Sequence, residues 1–385
     1  MGTLKVPCTI VCEAGALEGN SGLLAHYGRK ALIVTGPHVS RSEAMQRLTA
    51  ALDRDKVEYE IFNGINSEPT DNMVKAGAAA YHNANCDFCI GLGGGSPIDA
   101  AKAIAVMTAS DEEISSYMGR EIDITVPPIV ACPTTAGTGS EATRFTIITD
   151  TQRGIKMLLK GDTLLPQLAI VDYTLGIEAP RSVVIGSGLD ALTHAIEAYI
   201  SIKAMPETDI LAARAVQSIM RYLPEVLQNG DNKTARQKMA QAALDAGICI
   251  NNSSVTVIHG MSRPIGAMFH VPHGLSNAML LPTCLADMAD AAAQRFAALA
   301  RNAGFATADD TDAEAARILV TETCRLCDLC NVPTLGEYGI DEAQHMQLID
   351  KMAADAIASG SPGNAPKAYT AADCRRLYIE AYNRK

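Results

Sequence analysis

The sequence has no tryptophan, and aromatic residues make up only 4% of its 385 positions. Its cores must therefore be filled by Ala, Leu, Ile, Val and Met, which the 48% hydrophobic fraction supplies. Positive charge is also scarce. The formal net charge is −11, the wrong sign for a surface that grips a nucleic-acid backbone. No apolar run reaches about 18 residues, the length that reads as a membrane span. Met1-Gly2-Thr3-Leu4-Lys5-Val6-Pro7-Cys8 lacks a charged stretch followed by a long apolar one, so no export signal is expected. The eleven cysteines are an odd number without disulfide-scaffold spacing and read as reduced thiols of a cytoplasmic protein.

Two cysteine groups are set aside as metal sites. Cys86-x-x-Cys89 reads as part of a buried strand, where the two side chains point to opposite faces. Cys324, Cys327 and Cys330 sit in a helical pattern at i, i+3 and i+6, which makes a small apolar helix face rather than an iron–sulfur run.

A chain this long exceeds one typical core, so two domains are expected. Ala31-Leu32-Ile33-Val34-Thr35-Gly36 reads as a buried strand ending in a Gly-Pro turn. Helix from about Ser40 to Asp53, strand from Val57 to Phe62, helix from Asp71 to Tyr81 and strand from Cys86 to Gly91 follow. This alternation means a mostly parallel sheet with helices on both faces. Further strands are expected at Thr146–Thr149 and Leu168–Asp172. Beyond Asp172–Pro180 the patterns become long, Ala/Leu/Met-rich and helical: Glu207–Tyr222, Thr234–Ile250, Ala286–Ala303, Asp312–Cys330, Asp341–Ala358 and Ala371–Tyr382. The expected domains are therefore residues 1–180, α/β, and residues 181–385, all-helical.

Three stretches carry chemistry. Gly91-Leu92-Gly93-Gly94-Gly95-Ser96-Pro97-Ile98-Asp99 runs from a strand into a helix N-terminus, where bare backbone N–H groups and the helix dipole favour a phosphate. Ser96 is the expected cap. The spacing is neither a P-loop nor the usual dinucleotide fingerprint, and a plain strand-to-helix turn would look similar. Pro133-Thr134-Thr135-Ala136-Gly137-Thr138-Gly139-Ser140-Glu141 is dense in hydroxyls that could bond a nucleotide. It could also be an ordinary Ser/Thr-rich loop. Asp190 and His194 lie four residues apart in a helical segment and so share a face. With His259 and His273 they form an ordered set of donors suited to a first-row metal ion; taken singly, Asp190 could cap a helix and each histidine could be a satisfied core residue.

Together these motifs resemble the iron-containing, metal-dependent alcohol dehydrogenases of group III. The likeness runs from the Gly15-Ala16-Leu17 region to the C-terminal helix. It rests on the Gly93–Lys102 and Pro133–Glu141 stretches, on Asp190 to Tyr199, and on His259-Gly260 and Pro272-His273-Gly274. The resemblance implies the dehydroquinate synthase-like fold: an α/β dinucleotide-binding domain, an all-helical domain, and a metal in the cleft between them. It implies Asp190, His194, His259 and His273 as ligands of Fe²⁺ or Zn²⁺. It implies Gly36, Gly94, Gly95, Ser96, Asp99, Thr134, Thr135, Thr138 and Lys156 as residues of an NAD(H) or NADP(H) site. It further implies a homo-oligomer, a dimer, acting on a small alcohol or aldehyde.

Three departures from the family pattern bear on function. Gly36 stands where many members carry an Asp that repels a 2′-phosphate, which opens the site to NADP(H). Arg263 replaces a frequent His. It is either structural, paired with a pocket carboxylate, or it grips a carboxylate, sulfonate or phosphonate on the substrate. His270, where Asn or Asp is common, is either a proton relay or a neutral wall residue. The competing reading is an NAD- and metal-dependent lyase of the dehydroquinate synthase type. It would need a Lys- and Arg-rich pocket, and the stretch from Asp190 to Gly274 holds few basic residues. A non-catalytic regulator would leave the ligand set without a purpose.

Overall fold

The computed structural model describes residues 3–384, which form two compact units, Lys5–Pro180 and the segment from Arg181 onward together with Thr3 and Leu4. The first carries eight strands: β1 (Thr9–Val11), β2 (Lys30–Val34), β3 (Glu58–Phe62), β4 (Phe88–Gly93), β5 (Ile129–Pro133), β6 (Phe145–Asp150), β7 (Ile155–Lys160) and β8 (Leu168–Ile170). Its α-helices are α1 (Ala16–Gly19), α2 (Glu43–Arg54), α3 (Asp71–Ala84) and α4 (Gly95–Thr108). Six strands form one parallel sheet in the order β1-β8-β5-β4-β2-β3.

Both faces of this sheet are covered, and the central strands show why. In β2, Ala31 and Ile33 pack into one apolar cluster while Leu32 and Val34 pack into the other. Alternate residues of a strand point to opposite faces, so a continuous apolar run suits a sheet buried on both sides. Strand order reverses between β2 and β4. In open parallel sheets, ligands bind beyond the carboxyl ends of the strands at such a reversal. Thr35 Oγ1 donates to Leu92 O at 2.8 Å and ties those two ends together.

The remaining strands, β6 and β7, pair antiparallel as a separate hairpin. The sequence pattern at Thr146–Thr149 showed a strand but neither its partner nor its separation from the main sheet. Asp150 closes the turn, its Oδ1 accepting from Gln152 N and Arg153 N at 2.9 Å each. Lys102, fully buried in α4, donates to Thr143 O at 2.7 Å, Thr143 Oγ1 at 3.0 Å and Phe145 O at 3.0 Å, which pins the start of the hairpin.

The second unit is helical: α5 (Arg181–Ile200), α6 (Pro206–Gln228), α7 (Lys233–Ser253), α8 (Val257–Phe269), α9 (His273–Met288), α10 (Ala293–Asn302), α11 (Asp312–Leu329), α12 (Glu342–Ala358) and α13 (Ala371–Tyr382). The expected helix Ala286–Ala303 is in fact the end of α9 and the whole of α10. No Gly or Pro marks the break, so local propensity could not reveal it. Helix α8 and α9 up to Leu285 were not expected from the sequence; Pro264 and Pro282 lie inside them, and proline ordinarily argues against a helix interior. No described helix is long and apolar enough to cross a membrane.

The cysteines need one correction. Cys86 precedes β4, and it shares a single core cluster with Cys89 instead of facing away from it. Burial pushes the Cys86 thiol up to about 11. Cys324 and Cys327 lie on α11 with Cys330 at its C-cap, and all three are free.

Candidate functional site

The first candidate surface lies where β4 gives way to α4. Gly93 has φ 148, a conformation in which L side chains are strained. Gly94 is the N-cap and α4 begins at Gly95. Ser96 is therefore inside the first turn, not the cap, because the glycines themselves make the turn. First-turn N–H groups have no intrahelical acceptor, and no acidic residue stands in this turn to compete with a bound anion for them. At Gly91 a Cβ would meet Ile98 Cα at 2.8 Å, so only glycine lets α4 lie this close to β4.

The hydroxyl loop folds onto the same turn. Thr134 N donates to Gly93 O at 2.8 Å. A Cβ on Gly94 would touch Thr135 at 3.5 Å, and one on Gly95 would press on Thr138 at 3.0 Å. Thr135 Oγ1 is buried with no hydrogen-bond partner. A buried hydroxyl left unpaired is expensive. Bare backbone and an unpaired hydroxyl on one surface fit a polar, phosphate-bearing ligand such as a dinucleotide.

Other residues expected at this surface have tasks elsewhere. The Asp99 carboxylate accepts from Ile147 N at 2.9 Å, and its backbone oxygen accepts from Thr146 Oγ1 at 2.8 Å. Lys156, on β7, is paired with Glu68 at 2.5 Å. Gly36 follows β2 at the strand-order reversal. A Cβ there would lie 2.8 Å from Ile65 O, which is a packing reason for glycine independent of any cofactor.

The second candidate site is built by α5, α8 and α9. Asp190, His194, His259 and His273 each offer one donor atom, and all four atoms lie within 4.8 Å of one another. Among the described residues no other group of three or more His, Cys, Asp or Glu gathers in this way. Asp190 Oδ1 is 3.8 Å from His194 Nε2, 3.5 Å from His259 Nε2 and 3.8 Å from His273 Nε2. Metal–ligand bonds of about 2.1 Å in a tetrahedron put neighbouring donors about 3.4 Å apart. One oxygen and three imidazole nitrogens at this spacing fit a divalent first-row ion. The rings of His194 and His259 stack at 4.5 Å. The His273 side chain is 32% exposed, against 5% or less for the other three, so the set opens to one side.

Two residues that the sequence reading did not assign hold this set in place. Glu197 is fully buried on α5. Its Oε2 lies 2.5 Å from His259 Nδ1, and its Oε1 accepts from Thr256 Oγ1 at 2.6 Å and Ile258 N at 2.7 Å. That contact makes Nδ1 the donor and leaves the Nε2 lone pair facing the other donors, the arrangement that orients metal-binding imidazoles. Asn277 Nδ2 donates to Asp190 Oδ1 at 2.7 Å and lies 3.0 Å from His259 Nε2 and 3.3 Å from His273 Nε2. A signal for both was present. Asp190, His194 and Glu197 fall at i, i+4 and i+7, and Asn277 is one turn after His273.

The charges support one another. Burial alone would push the Asp190 carboxyl up, but His194, His273 and His259 around it hold it well below the usual carboxylate range. Burial also works against charge on His259, and Glu197 and Asp190 outweigh it, raising that imidazole.

Arg263 is partly buried on α8, its Nη1 donating to Ser361 Oγ at 3.0 Å. It has no carboxylate partner among the described residues. His270 caps the C-terminus of α8 with φ 57 and is exposed. This gives it a backbone task as well as any chemical one.

Residues 7–173 match the family described as iron-containing alcohol dehydrogenase, and residues 184–382 match its C-terminal family. The chain is 32% identical to an NAD-dependent methanol dehydrogenase of Bacillus methanolicus, over 97% of this chain and 98% of that protein. The solved structure of a 1,3-propanediol oxidoreductase superimposes with a TM-score of 0.95 at 31% identity, covering 99% of this chain and 100% of that one. A sulfoacetaldehyde reductase from Bifidobacterium kashiwanohense, solved with NAD⁺, superimposes with a TM-score of 0.89 at 26% identity, covering 100% of both chains. These relatives are dehydrogenases and reductases, which sets the lyase reading aside.

Proposed function

The chain belongs to the iron-containing alcohol dehydrogenase family and is an oxidoreductase; from that premise we propose that Asp190, His194, His259 and His273 hold its divalent metal. We place the pyrophosphate of NAD(H) or NADP(H) on the turn at Gly94, Gly95 and Ser96. Thr134, Thr135 and Thr138 would bond the rest of the nucleotide. The single observation that carries the metal reading is the convergence of four donors from three helices within 4.8 Å.

When bound, the metal supplies Lewis acidity toward an alcohol or aldehyde oxygen, and the nicotinamide supplies or accepts the hydride. The protein's own work is positioning. Glu197 fixes the tautomer and direction of His259. Asn277 fixes the Asp190 carboxylate. The exposed flank of His273 leaves a side from which a substrate oxygen can approach. His270 is placed at the solvent-exposed end of α8, where it can exchange a proton with water. We further propose a homodimer in the cytoplasm, testable by sedimentation.

The test is metal content and turnover after replacing each of the four donors by Ala. Each variant is expected to lose both together. A His259→Ala protein with full occupancy and full turnover would remove His259 from the set.

A further inference from the structure

Several partly buried guanidinium groups among the described residues are matched by carboxylates: Arg295 by Asp209, Arg144 by Glu121 and Asp162, and Arg47 by Glu18 and Asp172. Arg263 has no such match. Its guanidinium carries five N–H donors, and the contact the structure provides is one neutral acceptor, Ser361 Oγ. The acidic group that it feels is Glu197, and both oxygens of Glu197 are already taken by Thr256, Ile258 and His259. A cation removed from water needs an anion and a filled set of acceptors.

Its place in the fold says where that anion belongs. Arg263 follows His259 by four residues on α8. The two side chains therefore leave one face of the helix, one turn or about 6 Å apart. The charge balance points the same way. Asp190, Glu197 and Arg263 together carry one net negative charge. A divalent ion would leave one net positive charge, which a monoanionic substrate would neutralise.

We infer that Arg263 selects substrates carrying a terminal carboxylate, sulfonate or phosphonate, held by the guanidinium while the alcohol or aldehyde oxygen occupies the metal site. The planar fork of arginine matches two oxygens of such a group at once. The spacing suits short chains of roughly two to four carbons, since four helical residues rise about 6 Å. The anionic group takes no part in the bond changes. Its role is to orient the reacting carbon. This inference rests on the dehydrogenase reading above and on the placement of His259 in the ligand set.

The experiment uses metal-reconstituted enzyme with NADH and NADPH. Succinic semialdehyde and sulfoacetaldehyde serve as anionic probes, and butanal and propanal as neutral ones. Wild type is expected to favour the anionic aldehydes by at least about tenfold in kcat/KM, mostly through KM. Arg263→Met is expected to remove roughly 10- to 100-fold of kcat/KM on the anionic probes, the range of a charged hydrogen-bonded pair, and to change the neutral ones by about threefold or less. Arg263→Lys should restore part of the loss, because it keeps the charge without the fork. Should Arg263→Met fail to fold, the melting temperature of metal-reconstituted wild type decides. It should rise with ethanesulfonate or propionate and stay unmoved with 1-propanol. Equal losses on charged and neutral aldehydes, or a wild type without anion preference, would overturn the assignment. Absence of nicotinamide turnover on all four aldehydes would instead overturn the reading beneath it.

Discussion

Glu197→Gln is nearly isosteric, yet the structure leaves it no satisfactory arrangement. Glu197 accepts three hydrogen bonds through its two oxygens, Thr256 and Ile258 on Oε1 and His259 Nδ1 on Oε2. A glutamine has one acceptor oxygen. If that oxygen stays with Thr256 and Ile258, the amide N–H₂ faces His259 Nδ1. The ring must then move its proton to Nε2, the atom that faces the other donors. If the amide flips, Ile258 N–H is buried opposite an N–H₂ group. Loss of such an outer partner typically weakens metal binding by about 10- to 100-fold, or about 1.4–2.7 kcal/mol. The metal-free fold should lose on the order of 1.5–3 kcal/mol with the charged hydrogen bonds. Competition against a chelator gives the affinity of Fe²⁺ and Zn²⁺, and urea denaturation of the metal-free protein gives the stability. Metal affinity within about twofold of wild type would refute the argument, because it would mean that Glu197 neither sets the tautomer of His259 nor orients it.

Three further outcomes follow from the first unit. Gly94→Val should fold, since its Cβ makes only ordinary contact with Thr135 at 3.5 Å, but NADH fluorescence titration should show much weaker binding; unchanged binding would mean the turn holds no phosphate. Gly36→Asp should shift preference from NADPH toward NADH beyond any change in Gly36→Ala, which shares the 2.8 Å approach to Ile65 O without the charge; matching ratios in the two variants would assign the position to packing alone. Burial raises the Glu141 carboxyl to about 7, above its unfolded value, so its contribution is present below about pH 4.5 and is lost as pH rises through about 7. Glu141→Gln should therefore flatten the fall in melting temperature over that window, and an unchanged slope would show that Glu141 does not carry it.

Much of this protein is local in origin and legible in its sequence. The parallel sheet follows from short β-branched runs alternating with helical periods. The shared face of Asp190 and His194 follows from a spacing of four on one helix. The glycine turn after β4 is announced by composition, because nothing else tolerates such backbone angles and approaches. Other features depend on segments far apart in the chain. Nothing near Gly36 reveals Ile65 O, and nothing near Asp99 reveals Ile147 N. The break between α9 and α10 has no local marker, and the pairing of β6 with β7 as a separate hairpin depends on where their hydrogen bonds can be satisfied. Above all, His259 lies 62 residues from Glu197, and only the packing of α5 against the segment leading into α8 turns an ordinary glutamate into the group that aims an imidazole. Periodicity and spacing report which face of an element a residue occupies; which other element meets that face is decided by burial and by the pairing of polar groups that water no longer reaches.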